Sequence, residues 1–130
     1  MTTASSTVAS GLVEAIVARD FSRARGLLHP EIDFRAMTPS RIWEADGPAG
    51  VEEVLRTWLD DPDEEIERID PVEVTAVEDT ARAGWSVRGS DAEGTFVFQQ
   101  LAYVRERDGQ VAWLRVMCTG PRPPGPAALA

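Results

Sequence analysis

The sequence predicts an α+β fold, with three helices packed into a strongly curved, mainly antiparallel β-sheet. Three observations carry that expectation. Apolar residues recur at helical spacing before Leu28 and again from Val51 to Leu59. From Val72 onward the pattern changes to period-two alternation. Gly94 to Cys118 then sets two long runs rich in Val, Phe, Tyr, Trp and Leu around Asp108-Gly109, a strong hairpin signal. A hairpin this long must curve in a chain of 130 residues, and its concave face needs apolar cover. A sheet wrapped around helices leaves an apolar hollow, and function is expected there.

Each element has its own reason. Met1 to about Thr7 is small and polar and reads as a flexible arm, with the domain proper spanning residues 8–119. Val8, Leu12, Ala15 and Ile16 form a helical stripe that Val13 and Val17 broaden, so a helix is expected to about Arg19. Asp20 or Ser22 can cap a short second helix carrying Phe21, Ala24, Leu27 and Leu28. Pro30 pushes His29 out of the α region and ends it. Glu31–Met37 is a first strand with Ile32 and Phe34 on one face and Asp33 and Arg35 on the other. Thr38-Pro39-Ser40 turns into a short strand, Arg41–Ala45. Asp46-Gly47-Pro48 opens a third helix, with Val51, Val54, Leu55, Trp58 and Leu59 on one stripe. The acidic run Asp60–Glu67 terminates that helix. Val72, Val74 and Ala76 alternate with Glu73 and Thr75, and Pro71 marks a bulge or a sheet edge. Ala81, Ala83, Trp85 and Val87 alternate in the next strand. Residues 120–130, GPRPPGPAALA, read as a disordered proline-rich tail.

Composition narrows the function. The formal charge of -9 and scattered arginines argue against nucleic acid as a partner. No apolar run approaches the ~20 residues of a membrane-spanning helix. A single cysteine permits no internal disulfide and fits a reducing cytoplasm. Arginine without lysine, with abundant Ala, Val, Gly and Asp, suggests a GC-rich bacterial genome.

Ala18-Arg19-Asp20-Phe21, Leu28-His29-Pro30-Glu31-Ile32, Gly47-Pro48-Ala49-Gly50-Val51 and Arg107-Asp108-Gly109-Gln110-Val111 occur in this order of elements over about residues 8–119. In this the chain resembles the nuclear transport factor 2-like superfamily, the cone-shaped α+β fold of ketosteroid isomerases and polyketide cyclases. Its look is that of bacterial members described only by that domain. The resemblance implies the cone, a hydrophobic pocket, chemistry without a cofactor, and dimers formed sheet to sheet. It does not transfer the steroid isomerase residues. Arg35 stands where the first strand would carry a carboxylate, Leu12 where a tyrosine would stand, and Gln100-Leu101-Ala102 where a second acid would. The epoxide hydrolase constellation of two aspartates and an arginine finds only Arg115.

His29, the one histidine, is either an acid–base group or a helix-terminal residue bonding the last carbonyls. Tyr103 is a second weak catalytic candidate. Alternation sends one of Gln99 and Gln100 inward, and a two-residue or a bulged hairpin would choose differently; Gln100 is expected inward beside Phe98. Cys118, on an apolar strand face, reads as a small hydrophobe that can line a pocket. The acidic run lacks the glycine and spacing of a calcium loop and reads as a solvated turn, so no metal site is expected. A ligand is expected among Leu55 and Trp58 of the third helix, Leu114, Val116 and Cys118 of the last strand, Phe34 and Trp43, and Gln100. Phe34 takes the inward position because burying an unpaired Arg35 is costly. The outer face, with Val97 or Phe98, Val111, Trp113, Arg115 and Met117 by register, is expected to form a homodimer. Two functions follow from these readings. One is a cofactor-free isomerase, cyclase or dehydratase acting on an apolar biosynthetic intermediate. The alternative is a non-catalytic module that binds such a molecule or dimerises with a partner.

Overall fold

The computed structural model describes residues 3–123. Three helices, α1 (Ala4–Val17), α2 (Phe21–Gly26) and α3 (Gly47–Leu59), pack on one face of a six-stranded sheet. The strands are β1 (Leu28–Thr38), β2 (Arg41–Asp46), β3 (Glu65–Val77), β4 (Thr80–Asp91), β5 (Gly94–Arg107) and β6 (Gln110–Cys118). Their order across the sheet is β2-β1-β6-β5-β4-β3. All neighbours are antiparallel except β1 and β6, which run parallel.

The first helix begins earlier than expected. Thr3 caps it, its Oγ1 accepting from the Ser6 N–H at 3.0 Å, so residues 4–7 are helical and not an arm. Ser5 and Ser6 are buried, and Ser5 Oγ donates to the Asp79 carbonyl and accepts from the Glu106 N–H. Small polar residues that looked like an unstructured lead-in thus tie α1 to the β3–β4 turn and to β5. Arg19 closes the helix in the left-handed region at φ 58°, and Asp20 caps α2 through the Arg23 N–H.

The strand β1 starts at Leu28, three residues before the sequence suggested. The Val111 N–H donates to the Leu27 carbonyl at 2.8 Å, and Leu28 pairs with Val111 on β6. Proline at position 30 falls within the register shift that follows, where a missing N–H costs no ladder bond. The buried stripe of α3 is Val51, Val54, Leu55, Trp58 and Leu59, as its spacing predicts, with Pro48 in the first turn. Asp46 makes no side-chain cap, so proline and the Gly47 backbone (φ 69°) set that start. Of the acidic run, residues 60–64 turn and Glu65–Glu67 already belong to β3. Pro71 lies on the edge strand, and β3 carries two register shifts.

The Asp108-Gly109 turn has two residues, both at positive φ (55° and 79°), and Arg107 pairs with Gln110. A bulge follows at once, between Arg105 and Glu106 against β6. It turns Val111 and Leu114 to the same, buried side, although their spacing alone would oppose them. Val111 therefore leaves the outer face on which it was one of the expected residues. The residues Gly120 to Pro123, expected to open a disordered tail, are described: Arg122 pairs with Val97 by backbone bonds of 2.8 and 3.1 Å. The remainder of that expected tail lies outside the described residues.

Candidate functional site

The row that matters runs across three strands. Gln100 on β5 has Trp85 of β4 on one side and Cys118 of β6 on the other. All point to the concave face, while Gln99 turns outward and its amide donates to Ser86 at 3.1 Å. Gln100 is 1% exposed and Trp85 is fully buried. The Trp85 indole N–H donates to Gln100 Oε1 at 2.6 Å. An indole nitrogen can only donate, so it fixes which end of the amide is oxygen. Gln100 Nε2 is consequently held as a donor, and it has no protein partner among the described residues.

A second orphan lies close by. Trp58 is packed at the end of α3, edge-on to Trp43 (5.7 Å between ring centroids) and tilted against Phe34 (6.3 Å). Its indole N–H is buried and equally without a partner among the described residues. Each buried donor left unmet costs roughly 1–3 kcal/mol. Trp43, by contrast, donates to Thr38 Oγ1 at 2.9 Å and is covered by the Arg41 guanidinium at 3.5 Å.

The residues that carry these two orphans, Gln100 and Trp58, both line one hollow of about 510 Å³. Its apolar wall is Trp43, Trp58, Phe98, Pro39 and Pro121, with Cys118 beside Gln100. Its rim brings Glu64 from the α3–β3 turn and Arg122 from the segment after β6. Burial pushes the Glu64 carboxyl above its ordinary value of 4.5, and the nearby charges of Asp61, Asp91 and Asp63 push it the same way. The hollow thus combines an apolar body, two buried donors behind its wall, one carboxyl with raised proton affinity and the Arg122 guanidinium. Among the described residues no three His, Cys, Asp or Glu side chains cluster as a metal site.

Of the residues singled out in the sequence, Trp43, Trp58, Gln100 and Cys118 are brought together here. Phe34, Leu55, Leu114 and Val116 face the same side but are packed in the core and do not line the hollow. His29 is elsewhere: it belongs to the first residues of β1, not to a helix end. Its Nδ1 accepts from the Glu31 N–H at 3.0 Å, which leaves Nε2 to donate to Asp108 at 3.3 Å beside the Arg107 guanidinium. Tyr103 lies half-exposed on the convex face, three residues out of phase with Gln100. Arg35 is on that face too, 3.7 Å from Glu44. The sequence reading passed over Glu64 and Arg122. Glu64 was submerged in its acidic run, although crowding of like charges is itself a signal for a raised carboxyl. Arg122 falls in the segment that reads as tail in the sequence.

A sheet curled around three helices, with an apolar hollow at its open end, defines the cone-shaped nuclear transport factor 2-like class. The SnoaL-like domain matches residues 9–114, and the chain belongs to that family. Solved structures share the fold at low identity. A protein from Catenulispora acidiphila with a ketosteroid isomerase-like fold, in complex with trimethylamine, aligns with TM-score 0.65 and 9% identity, over 84% of this chain and 82% of that one. An epoxide hydrolase of M. tuberculosis, described as LEH-like, aligns with TM-score 0.62 and 12% identity over 86% and 80%. An NTF2-like protein of unknown function from Cytophaga hutchinsonii gives 0.64 and 15% over 86% and 96%. Among curated protein sequences none matches. No helix among the described residues is long and apolar enough to cross a membrane.

Proposed function

We propose that the hollow binds an apolar small molecule and that the protein acts on it without a cofactor, as an isomerase, cyclase or dehydratase of a biosynthetic intermediate. The observation that carries this reading is Gln100. A buried amide locked by Trp85 so that its N–H₂ has no protein partner is costly unless something in the hollow accepts from it. Membership of the SnoaL-like family and a fold shared with an epoxide hydrolase support small-molecule chemistry. The protein works, on this reading, in the cytoplasm and as a homodimer through its convex face. The rival reading, a non-catalytic binding or accessory module, draws on that same face, where Met37, Ile42 and Met117 are at least half-exposed.

The test is ligand binding, by calorimetry on hits from a thermal-shift screen of apolar carbonyl and hydroxyl metabolites. Gln100→Ala and Trp43→Ala are expected to weaken binding at least tenfold. If neither costs more than about threefold (~0.7 kcal/mol), the ligand sits elsewhere. Tight binding with no turnover of any bound compound would favour the accessory module.

A further inference from the structure

On the convex face, toward its β3 edge, the register sets arginines side by side. Arg68 on β3 pairs with Arg88 on β4, Arg88 with Val97 on β5, and Val97 with Arg122 beyond β6. Three guanidiniums from distant parts of the sequence thus share one row, in a chain of formal charge -9. Like charges directly opposite each other on neighbouring strands oppose the pairing. Here they are only partly relieved. Arg68 Nε meets Asp70 at 2.9 Å and Arg88 Nε meets Glu67 at 3.4 Å. Both contacts go through Nε and leave the forked ends of the guanidiniums to other partners, and exposed pairs of this kind are weak. Arg122 has no acidic partner among the described residues.

The next row adds neutral donors. Ser86 and Gln99 are cross-strand partners, and Gln99 is bonded through its backbone to Thr119. Gln99 Nε2 donates to Ser86 Oγ at 3.1 Å, which leaves the hydroxyl's own proton and the second amide N–H to donate elsewhere. These residues and the three arginines line one groove of about 580 Å³. Asp70, the one acid among its lining residues, is already held by Arg68. The groove shares no lining residue with the apolar patch around Met37, Ile42 and Met117. Donors and positive charge in such excess suit an oxyanion. Neighbouring strands lie about 4.8 Å apart, so Arg88 and Arg122 flank Val97 at about 10 Å, and both side chains can close on one group between them. A guanidinium fork matches the oxygens of a phosphate in pairs. A long polyanion would run on to Glu65, Glu67 and Glu73 of β3, whereas a compact anion avoids them. We propose that this row is a binding site for a phosphate group, free or carried by a small molecule. Arg88 and Arg122 hold it over Val97, Arg68 reinforces the charge, and the Ser86 hydroxyl donates a further bond. The site is distinct from the hollow, although Arg122 borders both.

The experiment titrates the protein with inorganic phosphate and with phenyl phosphate at constant ionic strength, following the Gln99 side-chain amide and the Thr119 N–H by nuclear magnetic resonance. Both signals are expected to shift saturably. Arg88→Gln and Arg122→Gln should each weaken binding at least fivefold. Arg82→Gln, on the same face but opposite Tyr103 and outside the row, should leave it within twofold. Tighter binding of phenyl phosphate supports a phosphorylated molecule as the ligand, and tighter binding of inorganic phosphate supports the free ion. The absence of a saturable shift with either probe overturns the site. An equal loss in Arg82→Gln overturns it too, because the attraction then belongs to the whole face. A loss in Arg122→Gln without one in Arg88→Gln places the anion at the rim of the hollow and overturns the row. A single-stranded oligonucleotide that binds through the same arginines more tightly than either probe overturns the assignment to a compact anion.

Discussion

Glu64 is unusual in this acidic chain because its surroundings resist its charge. Its carboxyl is pushed above 4.5 first by burial, then by Asp61 and Asp63 of its own turn and by Asp91 at the end of β4. On the helix side the uncharged Thr57 and Trp58 line the same hollow, and the Arg122 guanidinium on its rim does not contribute to the shift. A carboxyl whose folded-state pKa is raised favours the folded state when protonated. That contribution is complete below 4.5 and disappears as pH rises through the raised value. Glu64→Gln is therefore expected to melt with the unaltered protein at about pH 4 and above it at about pH 7.5. A variant that is less stable at the higher pH would show that the carboxylate is favourably paired. Gln100 illustrates what one residue reveals in sequence. Alternation narrows the inward amide to two neighbours, but only the Trp85 bond, made across to β4, decides which end of Gln100 is left without a partner.

The helix α3 was readable in full, because its stripe is local and its start is written in Gly47-Pro48. The beginning of β1 was not. Leu28-His29-Pro30 reads as a helix end, yet its partner is the parallel strand β6, more than eighty positions away, and no local pattern encodes such a pairing. The hairpin of β5 and β6 is readable as a turn but not as a turn plus bulge, so alternation alone puts Val111 on the wrong face. Gly84 on β4 shows how tightly the curved strands are drawn. A Cβ there would lie 2.5 Å from the Gln100 carbonyl oxygen and 3.1 Å from Leu101 Cδ2. Backbone cannot yield as a side-chain tip does, so Gly84→Ala is expected to cost about 1–3 kcal/mol in urea unfolding. Because the clash falls on the strand that holds Gln100, the same variant should lose ligand affinity. Unchanged stability would mean that β4 and β5 have slack at this point.

Across the whole molecule the sheet divides two kinds of surface. On the convex side Ile42, Met37, Met117 and Leu101 form one cross-strand row over β2, β1, β6 and β5. The adjacent row is Glu44, Arg35, Arg115 and Tyr103. An apolar row beside one of mixed charge can meet a copy of itself about a two-fold axis, arginine against glutamate. Light scattering at micromolar concentration is expected to show a dimer, and Met117→Glu a folded monomer. A monomeric unaltered protein would remove this interface. The four tryptophans are distributed over these regions. Trp85 sits in the core, Trp43 and Trp58 at the hollow, and Trp113 on the convex face between Arg105 at 4.3 Å and Arg115 at 4.5 Å. Their indole N–H groups give four separate nuclear magnetic resonance signals, one from each tryptophan. A guest that accepts from Trp58 shifts one signal, self-association disturbs another, and the Trp85 signal reports whether its bond to Gln100 is intact. The chain therefore carries its own three-channel gauge of occupancy, assembly and integrity, with no dye or tag to add.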